Sequence, residues 1–374
     1  MPVTAAIDRR NQRNAVLAGF LGWTLDAFDF FILTLIIDDV ANAFGKTRPQ
    51  IALAITLTLA MRPLGAIVFG LMADRYGRRI PLMLNVIFYA VISVLCGLAP
   101  SYRVFIFSLA LESASPRLRG LLSGLLQEGY AIGYFLAALA FRTIYPYANA
   151  HYPGDGWRIM FFIGGLPALL SLFIRARVKE SDAWHEHRTD WATYRRALTA
   201  HARRCFYLVL LMAMMNFMSH GTQDMYPTLL ATFGYSKARI ADVTMISMIG
   251  AVLGGLVFGY YSDRSGRRRA MITAAASALL VLPFWIAGFS PLVTVAGVFL
   301  MQFFVQGAWG VIPAHINELS PGAIRGFFPG FAYQLGVLCA SSIPYVELAG
   351  IVVIALGPEA HGTSFRKQPL TADS

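Results

Sequence analysis

Long apolar stretches, separated by short polar or basic breaks, dominate the chain. They fall at about 14–37, 50–73, 80–99, 121–142, 157–175, 205–232, 239–261, 270–289 and 291–316. A helix of about twenty apolar residues crosses a hydrocarbon core roughly 30 Å thick. The pattern therefore predicts an all-α polytopic membrane protein. A transmembrane β-barrel would show short alternating segments instead. Two regions are irregular: a short apolar piece at 104–111, and a long block at 327–356 that contains Pro344 and Glu347. A polar stretch from Arg175 to Arg204 holds eight Lys/Arg, together with Trp184, His185 and His187. It divides the chain into an N-terminal bundle at 1–174, a cytoplasmic linker at 175–204, and a C-terminal bundle and tail at 205–374.

The two groups of blocks repeat each other. Gly70-Leu-Met-Ala-Asp74-Arg75-Tyr-Gly77-Arg78-Arg79 recurs as Gly259-Tyr-Tyr-Ser-Asp263-Arg264-Ser-Gly266-Arg267-Arg268, 189 residues later. Val-Phe-Gly leads into both copies, and Gly65 matches Gly254. Glu112-x6-Arg119-Gly120 recurs as Glu318-x6-Arg325-Gly326, now 206 residues later. Repeats on this scale in a membrane protein point to a transporter. The change of offset locates a shortfall. Asp74 to Glu112 covers 38 residues and Asp263 to Glu318 covers 55, so the first half is 17 shorter where its fourth span belongs. Arg119 to Arg175 covers 56 residues, whereas Arg325 to Leu356 covers 31. By this ruler the chain follows a six-plus-six plan, with the fourth span and the last two spans shortened.

Composition agrees. Of 374 residues, 57% are hydrophobic and 14% charged, and the mean hydropathy is +0.57. A soluble domain would carry about 25% charged residues. The net charge of +11 lies between apolar blocks and not on one face, which argues against a nucleic-acid partner. It sets topology instead. With twelve spans, 23 Lys/Arg fall on the side of the termini and linker, seven on the other, and Arg62 within a span. The positive-inside rule then places both termini in the cytoplasm of a multi-pass plasma (inner) membrane protein. The polar, basic start from Met1 to Arg13 runs into an apolar helix with no cleavage site, so no cleavable signal peptide is expected. Cys96, Cys205 and Cys339 lie in or beside apolar segments and read as packing residues. Neither a nucleotide-binding Gly-rich loop nor zinc-ligand spacing is present, so no enzyme activity, metal or cofactor is expected.

The paired Gly-x-x-x-Asp-Arg-x-Gly-Arg-Arg loops, each after a second span, resemble the signature of the major facilitator superfamily. A narrower likeness lies in Asn216-Phe-Met-Ser219-His220-Gly-Thr222-Gln223-Asp224-Met-Tyr-Pro-Thr228. It is similar to the Asn-x-x-Ser/Thr-His-x-Ser/Thr-Gln-Asp-x-x-x-Thr motif of the Jen-type lactate/proton symporters. Trp23-Thr-Leu-Asp26-Ala-Phe-Asp29-Phe-Phe resembles the bacterial sialate and lactate symporters. These resemblances imply proton-coupled uptake of a small carboxylate, lactate-like or sialic-acid-like, by a monomer in the lipid bilayer, with the proton as coupling ion. The fourth span departs from that family: Phe107 runs straight to Ser108-Leu-Ala-Leu-Glu112, where a glycine-rich, polar stretch is normal. A transport-inactive deletion variant or a membrane sensor of the same fold is the alternative.

Ionisable groups within spans are costly and so mark candidate sites. Asn216, His220 and Asp224 recur at i, i+4 and i+8 on one helix face, beside Gln223. Pro227 withholds an N–H from the Gln223 carbonyl. His220 titrates near neutral pH, so the seam reads as a proton and substrate site, or else as a polar seam between helices. Asp26 and Asp29, three apart on the first span, read as a proton-binding pair or as packing groups paired with a base. Arg62 suits either a bidentate carboxylate dock or their counter-ion. Glu128 in the fifth span corresponds to Gln334 by the 206 offset, a charged and a neutral version of one position. Gln306 and Trp309 are candidate cavity residues. In the repeated loops, Gly70, Asp74, Arg75, Gly77, Arg78 and Arg79 form one gating set with Glu112 and Arg119. Gly259, Asp263, Arg264, Gly266, Arg267 and Arg268 form the other with Glu318 and Arg325. They lock the cytoplasmic side, or serve only to hold the loops inside. Gly250, Gly254, Gly255 and Gly259 are expected to let the eighth span pack closely on a neighbour.

Overall fold

A computed structural model describes residues 3–47, scattered positions from 50 to 72 (61–65 among them), 79–112, 123–166, 168–177, 191–224, 226–286, 290–321 and 328–339. Gly70 and the first repeated loop from Asp74 to Arg78, together with Arg119 and Arg325, lie outside the described residues, as does everything after Cys339. Among the described residues the structure is helical, with no strand. The elements are α1 (Val3–Ala43), α2 (Arg79–Leu98), α3 (Tyr102–Glu112), α4 (Ser123–His151), α5 (Gly156–Gly164) and α6 (Ala168–Arg177). They continue with α7 (Trp191–Ala200), α8 (Ala202–Gln223), α9 (Tyr226–Thr232), α10 (Lys237–Ser265), α11 (Arg267–Ile286), α12 (Pro291–Leu319) and α13 (Phe328–Cys339). Five described stretches are long and apolar enough to cross a membrane: Leu17–Ala43, Ala202–Ala231, Lys237–Ser265, Arg267–Ile286 and Pro291–Leu319.

The chain divides into two compact units. One holds residues 1–122 and 136–188; the other holds 123–135 and 189–374. In the first unit, α1, α2, α5 and α6 pack together around Ala18, Val86, Tyr89, Ala90, Leu170 and Ile174. A second knot joins Phe44, Phe105, Trp157 and Phe161, whose ring centroids stand 5.5–6.0 Å apart. Arg158 stacks on Trp157 and donates from Nη1 to the carbonyls of Gly97 and Ala99, each at 2.9 Å. It thereby satisfies carbonyls that the end of α2 leaves without helical partners. Two apolar blocks are broken where proline follows. The block 157–175 becomes α5 and α6 ahead of Pro167, and 205–232 becomes α8 and α9 at Asp224, ahead of Pro227.

In the second unit the boundaries follow local chemistry. Ser236 and Ser290 cap α10 and α12 by accepting from the N–H of Arg239 and Val293. Gly266 ends α10 at φ 91°, which a side chain would resist. α10 and α12 then run side by side. Gly250 lies against the Phe299 carbonyl, Gly254 against the Phe303 backbone, and Gly310 against the Gly255 backbone, leaving no room for a Cβ at any of the three. Gly259 departs from the expectation of a close approach: a Cβ there would meet only the Gly310 carbonyl, at an ordinary 3.9 Å. α13 lies on α8 where Gly336 faces the Met212–Ala213 backbone.

The repeat ruler can now be read on helices. From its first residue to the matching glutamate, α3 runs 11 residues to Glu112 and α12 runs 28 to Glu318. The shortfall between Asp74 and Glu112 therefore falls on α3. Its first turns are held by Phe105 in the aromatic knot and by the Tyr102 hydroxyl, which donates to the Gln50 carbonyl at 2.7 Å. Residues 113–122 lie outside the described residues.

Candidate functional site

The polar face of α8 is fully embedded. Asn216 is 0% exposed, Gln223 2%, His220 5% and Asp224 7%. Their i, i+4, i+7 and i+8 spacing places all four within one arc of the helix. His220 Nδ1 lies 2.9 Å from Asp224 Oδ2, and Asp224 closes the end of α8 just where the helix breaks.

α12 supplies the partners. Gln223 Nε2 donates to Gln302 Oε1 at 2.5 Å, and Gln302 Nε2 donates to the carbonyl and hydroxyl oxygens of Thr222, each at 3.2 Å. One helical turn further along, Gln306 Nε2 donates to Ser219 Oγ at 3.3 Å. Asn216 Nδ2 turns back onto the Met212 carbonyl at 2.7 Å. Trp309 stacks edge-on against Tyr333 of α13, centroids 5.6 Å apart. Gln334, the repeat partner of Glu128, is buried on α13. The structure thus brings the predicted Asn216, His220, Gln223, Asp224 and Gln306 together on α8 and α12. Gln302 was not anticipated, because a lone Gln in an apolar helix reads as packing; its i, i+4 spacing with Gln306 was the available signal. Asn216 Oδ1, Gln223 Oε1 and Asp224 Oδ1 have no hydrogen-bond partner among the described residues. Leaving a buried acceptor unpaired costs about 1–3 kcal/mol, so three of them on one helix face call for a reason.

The first unit has its own polar node. Ser93 of α2 donates to Asp29 Oδ1 at 2.7 Å and stands 2.9 Å from the Phe161 carbonyl. Gly164 makes room for this pair, since a Cβ there would strike both the Asp29 carboxylate and the Ser93 hydroxyl. Asp26 is half-buried three residues earlier. Arg62 is buried, with its guanidinium 5.0 Å from the Phe30 ring. Glu128, near the start of α4, is buried in the second unit. A Cβ on Gly255 of α10 would collide with its carboxylate. Neither Ser93 nor this contact was legible beforehand, because both depend on distant segments.

The second repeated loop forms a charged clasp. Arg267 donates to Asp263 Oδ1 at 2.5 Å, to Ser262 Oγ at 2.7 Å and to Glu318 Oε1 at 3.1 Å. Arg264 lies 4.3 Å over the Tyr260 ring. Of the first copy, only Arg79 and Glu112 are placed, at the start of α2 and the end of α3.

Two helical units carrying a repeated motif, with an embedded polar seam and a charged interhelical clasp in the second, fit a transporter fold. Residues 19–344 match the profile of the Major Facilitator Superfamily, and the chain belongs to that family. Membership makes it a multi-pass membrane protein of a transporter family, not an enzyme family. It is 27% identical over 379 residues to the carboxylic acid transporter protein homolog of Saccharomyces cerevisiae, covering 89% of this chain but 60% of that protein. It is 28% identical to the sialic acid transporter NanX of Escherichia coli, covering 89% of this chain and 86% of that one. A probable 4-methylmuconolactone transporter of Cupriavidus pinatubonensis is 26% identical over 92% of this chain. Among solved structures, the inward-open xylose transporter XylE from E. coli superimposes with a TM-score of 0.70 at 17% identity, over 95% of this chain and 98% of that one. That likeness establishes the fold alone.

Proposed function

We propose that the chain is a proton-coupled carrier of small carboxylates, lactate-like or sialic-acid-like, working as a monomer in the plasma membrane with both termini cytoplasmic. The observation that carries this reading is the embedded His220–Asp224 pair on a face shared with Asn216 and Gln223. An imidazole–carboxylate pair in a low-dielectric interior holds or releases one proton at a modest change of surroundings, which is what coupling requires. Relatives named for carboxylic and sialic acids support the substrate class. Asp29 and Arg62 are the counterparts in the first unit: a second carboxylate, and a guanidinium suited to a carboxylate substrate. The Arg267 clasp acts in gating. The test is uptake of labelled lactate and labelled sialic acid into vesicles, with and without an inward proton gradient. Accumulation that collapses with the gradient supports the reading, and accumulation indifferent to it overturns the coupling.

One observation favours a second reading, that of a transport-inactive variant of the fold: α3 reaches Glu112 in 11 residues where α12 takes 28 to reach the matching Glu318. A full complement of purified, correctly inserted protein with no uptake of either acid would select it.

A further inference from the structure

α7 and the start of α8 form a nearly continuous rod. The His201 N–H donates to the Ala197 carbonyl at 3.1 Å and the Cys205 N–H to the His201 carbonyl at 2.9 Å, so the helical ladder carries across the junction. Side chains can therefore be sorted by face along both helices. Ala197, Leu208 and Leu211 are buried on one side. On the other, Arg195, Thr199, Arg203 and Phe206 recur at i, i+4, i+8 and i+11, and Arg196 stands seven residues before Arg203. All five are exposed, Phe206 at 69%. No acid offsets the arginines. The sequence has no Asp or Glu between Asp190 and Asp224, and Arg195, Arg196 and Arg203 make no ion pair among the described residues. Like charges gathered in this way repel one another until an outside anion meets them.

We propose that this face binds anionic phospholipid, with the guanidiniums of Arg195, Arg196 and Arg203 on headgroup phosphates and Phe206 against the acyl chains. Phe206 selects this occupant. It lies at the start of a stretch long and apolar enough to cross a membrane, Ala202–Ala231. An acidic protein or a free phosphate would satisfy the arginines and leave Phe206 in water, whereas a phospholipid covers both. Arg203 stands about 4.5 Å along the axis from Phe206 at 1.5 Å per residue, the depth of a headgroup. Arg195 and Arg196 lie about two turns further out and reach inward along their long stems. Positive-inside topology needs only basic residues on the right side; it does not need them aligned on one exposed face that runs into an exposed phenylalanine. The proposal holds whatever the chain carries, and takes from the reading above only the cytoplasmic leaflet, which is the anionic one.

For the test, the full chain is equilibrated in detergent micelles holding phosphatidylglycerol and phosphatidylcholine in equal amounts. The phospholipid retained per chain is counted after gel filtration. Phosphatidylglycerol is expected to be retained at least about fivefold over phosphatidylcholine, the effect of about one engaged arginine. Combining Arg195→Gln, Arg196→Gln and Arg203→Gln should bring that ratio to within about twofold of equality. Lysine at the same three positions should keep the preference, because the charge remains. Lys237→Gln with Arg239→Gln lowers the net charge on α10 instead, and should leave the ratio within about twofold of the unaltered chain. Equal retention of the two lipids by the unaltered chain overturns the proposal. So does a preference that the triple glutamine variant keeps, or that the α10 variant loses equally. Release of the bound lipid by millimolar inorganic phosphate overturns the lipid as occupant, since a free anion then suffices. Should the glutamine variant not fold, screening of the unaltered chain replaces it: a preference that survives roughly 1 M salt overturns the proposal. Micelles have no leaflets, so none of these results turns on the topology or on the cargo.

Discussion

Arg267, at the first residue of α11, reaches Glu318 near the end of α12, with Nη2 3.1 Å from Oε1. Glu318 is nearly buried, at 4% side-chain exposure, whereas Asp263, the other acid on the same guanidinium, is 64% exposed. A charge pair cut off from water loses more when broken than one that water can replace. Glu318→Gln is therefore expected to destabilise the purified chain by about 1–3 kcal/mol, and Asp263→Asn by less than about 1 kcal/mol. Thermal unfolding in detergent checks the order; equal losses would show that the buried half of the clasp is not the stronger half.

Asp263 matters for motion even where it matters little for stability. Its carboxylate holds the Arg267 guanidinium at the end of α10, and Glu318 of the same clasp lies 12 residues beyond Gln306 on α12. Asp263→Asn is expected to slow turnover several-fold while leaving the equilibrium affinity for lactate unchanged. Counterflow rates paired with calorimetric binding separate the two. A large loss of affinity at normal turnover would place Asp263 in the substrate site.

The glycines of α10 divide by what faces them. At Gly254 a Cβ would run into the Phe303 backbone, which cannot move aside as a flexible side chain can. Gly254→Ala is expected to cost about 1–3 kcal/mol by forcing α10 and α12 apart. At Gly259 the nearest atom is 3.9 Å away. Gly259→Ala is expected to be neutral, or to stabilise by up to about 1 kcal/mol through better helix propensity. Melting temperatures of the two variants should move in different directions or by clearly different amounts.

That contrast also shows where the sequence was legible. Spacing along one helix placed Asn216, His220, Gln223 and Asp224 on one face, since 3.6-residue periodicity is a local property. The repeat ruler located the shortfall now seen in α3, because it compares two copies of one plan. The sequence blocks were drawn straight through Pro167 and Pro227, near which the structure divides each into two helices. What stayed hidden was pairing between segments far apart: Gln302 with Gln223, Ser93 with Asp29, Glu128 with Gly255. The equal treatment of Gly254 and Gly259 failed for the same reason. A glycine permits a close approach, but only the opposing helix decides whether one occurs.

His220 and Asp224 should separate in their effects. His220→Ala removes the imidazole proposed to carry the proton and is expected to abolish accumulation driven by a proton gradient. Exchange of labelled for unlabelled substrate should survive, because it needs no net proton movement. Asp224→Asn keeps a hydrogen-bond partner for the imidazole but removes the carboxylate, and is expected to weaken gradient-driven accumulation without abolishing it. A His220→Ala chain that still concentrates lactate against its gradient would end the coupling role.

The described part of α3, Tyr102–Glu112, spans about 16 Å at 1.5 Å per residue, roughly half of a 30 Å hydrocarbon core. Its counterpart α12 has 29 residues and carries the Gln302–Gln306 side of the polar seam. If the α3 segment failed to cross, everything after it would invert, and the eight Lys/Arg between Arg175 and Arg204 would face outward against the positive-inside bias. That bias favours a crossing in a locally thinned bilayer, which costs a fraction of a kcal/mol for each Å of mismatch. Two results should follow. A cysteine placed at Ser181 should react with a membrane-impermeant reagent only after the cytoplasmic side is opened. A variant whose α3 is lengthened to match α12 with apolar residues should melt higher, and should take up lactate at least about tenfold faster, because a crossing of full length removes the cost of thinning the bilayer. Robust uptake by the unaltered chain, unchanged by the extension, would show that α3 is long enough as it stands.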